Sequence, residues 1–140
     1  MNSSTTSPLC PELLILIVMD SSNETCKNTL KERIITFFAS NPSCKKTITV
    51  EVIETTLAVR DMIPEIANKK AKVIFYFELR SSMVELYHKK LSEEVGKSEL
   101  PKTYSIRPKG VGKEAPAVMM SRSLGKLLSK EATAFSRMVA

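Results

Sequence analysis

The chain has 140 residues and a mass of 15.6 kDa, one domain's worth, long enough to bury about two-thirds of its unfolded surface. Its 43% apolar and 26% charged residues, with four glycines and seven prolines, exclude collagenous, low-complexity and disordered classes. The formal net charge of +6 is unevenly placed: residues 1–96 balance twelve basic against twelve acidic side chains, while residues 97–140 carry nine basic against three acidic.

Residues 1–11, polar and ending in Pro8-Leu9-Cys10-Pro11, read as a flexible N-terminal arm. Leu13 to Met19 is a continuous apolar run of strand length, as expected of a central strand covered on both faces. Seven residues are too few to span a membrane, and no Lys or Arg precedes them as a signal peptide requires. The chain is therefore expected to be intracellular, cytoplasmic or nuclear, with no membrane partner. Cys10, Cys26 and Cys44 are odd in number and widely spaced, fitting neither a disulfide framework nor paired zinc ligands. Cys26 reads as a small buried hydrophobe.

Ser21-Ser22-Asn23-Glu24 forms a capping box with Ser21 as N-cap, and Leu30, Ile34, Ile35 and Phe38 follow at helical spacing until Asn41-Pro42. Thr47 to Val52 alternates with period two, which predicts a half-buried edge strand. Pro64 is comfortable only in a first turn, so a short helix is expected from about Asp61. Val73 to Phe77 is a second continuous apolar strand. A second capping box, Ser82 to Glu85, precedes Val84, Tyr87, Leu91 and Val95 at helical spacing, closed by Gly96. On that helix Glu85, Lys89, Lys90, Glu93 and Glu94 form i,i+4 pairs of a solvated face, and His88 sits at the border of the apolar one.

Residues 97–113 read as a basic loop with a short strand near Tyr104 to Arg107. A last amphipathic helix begins near Pro116 and gathers Met120, Leu124, Leu127, Leu128, Phe135 and Met138 on one face. Strands and helices alternate, which implies parallel pairing through right-handed crossovers. The expected fold is a three-layer α/β/α domain at residues 12–96, with a mostly parallel sheet in the order 2-1-3. The basic loop and C-terminal helix of residues 97–140 pack on that core or extend from it.

Few residues offer chemistry. One histidine cannot supply a Ser-His-Asp site and a second imidazole ligand at once. Gly110-Val111-Gly112-Lys113 lacks the earlier Gly and the following hydroxyl of a phosphate-binding loop, Arg107 and Glu114 standing there instead. Asp20-x-Ser22, at the end of the first strand, resembles the opening of the metal-adhesion motif of von Willebrand A-type domains, which implies a divalent cation on those oxygens. Glu24 stands where that motif places its third oxygen ligand, so Asp20, Ser21 and Ser22 are read as a helix start, with Asp20 pairing with Arg80. No catalytic residue, metal or cofactor is assigned.

Two non-enzymatic functions follow. In the first, the basic third binds nucleic acid or a ribonucleoprotein surface, with Lys102, Arg107, Lys109 and Lys113 on phosphates and Tyr104 stacking on a base. The bland alternative packs Tyr104 on the sheet as part of an added strand. In the second, Leu124, Leu127, Leu128 and Phe135 hold a protein partner or a second copy of the chain, making it an adaptor or homo-oligomer.

Overall fold

The computed structural model describes residues 12–19, 24–77, 79–106 and 116–140. The N-terminal arm expected at residues 1–11 lies outside them, as does the capping box at Ser21. In chain order the elements are β1 (Glu12–Met19), α1 (Glu24–Ala39), β2 (Thr47–Glu54), α2 (Val59–Lys69), β3 (Val73–Phe77), α3 (Ser81–Val95), a 3-10 turn (Lys97–Glu99), β4 (Lys102–Ile106), α4 (Pro116–Lys130) and α5 (Ala132–Val139).

The strands form one parallel sheet in the order β2-β1-β3-β4. The expected 2-1-3 order is present, and β4 extends it by one strand. Central β1 and β3 are apolar on both faces, so both faces must be covered. Alternation along β1 sends Leu13, Ile15, Ile17 and Met19 into a cluster with α1, α4 and α5. Leu16 and Val18 enter the opposite cluster with α2 and α3. Helices therefore form two outer layers around the sheet.

Three local expectations need correction. Helix α2 starts at Val59, two residues earlier than the proline suggests, so Pro64 lies inside the helix. Its missing N–H removes one i→i−4 bond, and burial of Met62, Ile63 and Ile66 on one face offsets that loss. Helix α3 starts at Ser81 with Arg80 as N-cap and no side-chain cap, so Ser82 does not close a capping box. Gly96 does end it, at φ 80°, where a Cβ would be strained.

The third correction concerns the C-terminal helix, which is two helices rather than one. The break falls at Glu131, with φ −101° and ψ 16°, although its N–H still bonds the Leu127 carbonyl. Beyond it, Phe135 enters a ring cluster with centroids 4.9 Å from Phe38, 5.2 Å from Tyr104 and 6.1 Å from both Phe37 and Phe75. The end of α5 is fixed to the body by Lys45 N–H on the Val139 carbonyl and the Lys46 ammonium on the Met138 carbonyl. A cation there also complements the helix dipole. The C-terminal third is thus an integral part of the core rather than an extension from it.

Tyr76 is fully buried beside Tyr87, and its hydroxyl has no hydrogen-bond partner among the described residues. Burial pushes its phenol well above the ordinary range. Removing an unpartnered buried hydroxyl relieves its desolvation cost, so Tyr76→Phe is expected to raise stability by about 1 kcal/mol in urea titrations. A loss of stability would show that the hydroxyl has a partner. Phe135→Ala is expected to cost about 3–5 kcal/mol, because the ring closes the core; a loss below about 1 kcal/mol would mean that α5 is peripheral.

Candidate nucleic-acid interface

Helix α4 spends one face on the sheet and the other on water. Met120, Leu124 and Leu128, four residues apart, are buried, with Leu127 half-buried beside them. The same spacing places Arg122, Lys126 and Lys130 together on the solvent side of α4, and Arg137 lies on α5. All four are exposed. Lys126, Lys130 and Arg137 have no carboxylate within 4.0 Å among the described residues. For these three residues charge is displayed rather than neutralised.

Lys102 is exposed at the start of edge strand β4. Alternation gives it the same face as Tyr104 and Ile106, the side covered by α4 and α5. Tyr104 does not present a free ring: it stacks on Phe75 at 5.5 Å and meets Phe135 edge-on. Its hydroxyl is buried without a hydrogen-bond partner among the described residues, and burial, reinforced by Glu131, pushes the phenol up. The added-strand alternative describes its position. Arg107, Lys109 and Lys113 lie outside the described residues.

The residues expected to hold a partner also face inward. Leu124, Leu128 and Phe135 are buried in the chain's own core, and Leu127 packs against it. The side of these helices that covers the sheet is occupied by the chain's own core, and Val118 is the large apolar residue of α4 left exposed among the described residues.

Between α1 and α4 runs a groove of about 560 Å³ lined by Thr29, Arg33, Thr36, Ser121 and Gly125. The Arg33 guanidinium donates to Ser121 Oγ at 2.6 Å and lies over Gly125, where any Cβ would meet it. A side chain at position 125 would displace the guanidinium from this place. Lys27, by contrast, is compensated: its ammonium donates to Glu24 at 2.7 Å and to Glu54, and these bonds raise its pKa above the ordinary lysine value.

Other sites are less developed. Met19 pairs with Phe77, so the ends of β1 and β3 are side by side as expected. Asp20, Ser21 and Ser22 themselves lie outside the described residues. No group of three metal-ligating side chains occurs among the described residues. Cys26 is buried and His88 is exposed. Among the described residues no helix is long and apolar enough to cross a membrane.

Sequence reasoning missed Lys45 and Lys46. They were counted with a neutral body, whereas hydrogen bonds tie them to the end of α5, next to Arg137. Their signal was a pair of adjacent lysines just before a strand, which says nothing of which helix end lies nearby.

Because Lys126 and Lys130 are exposed and in no ion pair among the described residues, Lys126→Ala and Lys130→Ala are each expected to change unfolding free energy by less than about 0.5 kcal/mol in urea. A larger loss would mean that these side chains serve the fold. Comparison with known proteins gives no match to any family model, curated protein or solved structure.

Proposed function

We propose that this chain is a non-enzymatic protein that binds nucleic acid or a ribonucleoprotein surface through the basic outer side of its C-terminal third, acting in the cytoplasm or nucleus. The observation that supports the reading is the row Arg122, Lys126, Lys130 and Arg137, exposed on α4 and α5, with Lys102 on the same side. Exposed cations are drawn to phosphates, and each phosphate neutralised releases condensed counterions. The helical backbone is already formed, so binding has to order only the Lys and Arg side chains.

The adaptor alternative is less well supported. A partner on Leu124, Leu128 and Phe135 would first have to lift α4 and α5 from the sheet and break the ring cluster. The outer cations need no such rearrangement.

Fluorescence anisotropy with a labelled oligonucleotide at increasing salt tests the proposal. Binding should weaken steeply as salt rises. Replacing Arg122, Lys126, Lys130 and Arg137 by Gln should reduce the slope of log affinity against log salt by about 3 to 4, roughly one per lost phosphate contact. No binding by the native chain, or a slope unaltered in the variant, would overturn it.

A further inference from the structure

The chain contains five phenylalanines, three tyrosines and no tryptophan. All eight rings are among the described residues, and none is exposed. Phe38, Phe75, Phe77, Phe135, Tyr76 and Tyr87 are buried, while Phe37 and Tyr104 are half-buried and packed on Phe135. Single-stranded nucleic acid is usually held by stacking its bases on such rings. This protein has none to offer.

Side-chain amides for reading base edges are missing as well. The sequence has no Gln, and no Asn lies on α4 or α5. Asn41, near α5, has its side-chain amide on Ser136 and its carbonyl oxygen on the Ser43 N–H. The amides that pair with adenine in the major groove are therefore missing from this side. What remains is cationic: Lys126, Lys130 and Arg137 along the helices, Lys102 on the sheet edge, and Lys45 and Lys46 where α5 ends. Lys46 caps the Met138 carbonyl, and Lys45 is exposed beside it.

Helix geometry gives the α4 part of the row, residues 122 to 130, a length of roughly 12 Å at about 1.5 Å per residue. A set of exposed cations without rings gains most from the polymer of highest linear charge density. A duplex releases more counterions per neutralised phosphate than a single strand, with slopes of about 0.9 against 0.7.

Resting on the function proposed above, we infer that the ligand is the helical phosphate backbone of a duplex, bound without regard to base sequence. The surface runs from the outer row of α4 and α5 onto Lys45 and Lys102. The body of the chain thus contributes to the interface alongside its basic third.

The test is anisotropy with the full chain at fixed salt. The probes are two 20-base-pair DNA duplexes of unrelated sequence, an RNA duplex, the separate strands of each, and vesicles of anionic phospholipid. At least one class of duplex should bind several-fold more tightly than its strands, and the two DNA sequences should agree within about twofold. Lys45→Glu combined with Lys102→Glu should weaken duplex binding about tenfold, while the charge-matched pair Lys89→Glu and Lys90→Glu on α3, in the opposite layer, should change it by less than threefold. Circular dichroism and urea midpoints confirm that both variants fold.

If neither duplexes nor strands bind, the proposed function fails and this inference with it. Tighter binding to strands, strong sequence preference, binding to vesicles in place of duplexes, or equal losses from both variant pairs overturns this inference alone.

Discussion

The structure depends on two strands with no polar face. β1 and β3 are apolar through and through, and a parallel sheet of that kind is stable only between two helical layers. Helices α2 and α3 complete one layer. On the other, α1 has α4 and α5 beside it to cover the sheet, and Phe135 joins them by touching rings from α1, β3 and β4 at once. Burial of that surface is the dominant favourable contribution, opposed by the entropy of ordering the C-terminal segment.

This constraint assigns the two sides of the last helices. Their apolar side is committed to the sheet, which removes it from any partner. The opposite side is left to water and carries Arg122, Lys126, Lys130 and Arg137. Folding also brings distant cations to the same place: Lys45 and Lys46, nearly a hundred residues earlier, meet the end of α5 through hydrogen bonds. Elsewhere a cation such as Lys27 is matched by Glu24 and Glu54. The contrast between compensated and uncompensated lysines is the electrostatic basis of the proposed function.

The architecture was legible because its signals are local and strong. Continuous apolar runs identify β1 and β3, alternation identifies β2, and apolar residues at helical spacing identify α1, α3 and the C-terminal helices. Less was legible where tertiary packing overrides local preference. Pro64 argues for a later helix start, but the buried side of α2 holds the two extra residues, and Arg80 rather than Ser82 precedes α3. Tyr104 looked available in a basic segment because nothing in the sequence shows that Phe75 and Phe135 will enclose it. Dividing the charge by stretches of sequence likewise separated Lys45 from Arg137, although strand order and helix direction place them near one another. A linear tally records composition, whereas a binding surface is set by the fold.

The central claim is that the cations on one side of this domain contact phosphates while its aromatic rings remain inside. Amide chemical shifts of the isotope-labelled chain, followed while a duplex of mixed sequence is added, test it most directly. The account predicts changes grouped at residues 45, 46, 102, 122, 126, 130 and 137, with the amides of Phe75 and Tyr76 unmoved. Changes concentrated on α2 and α3, or movement of the ring cluster as though α5 had lifted from the sheet, would contradict it.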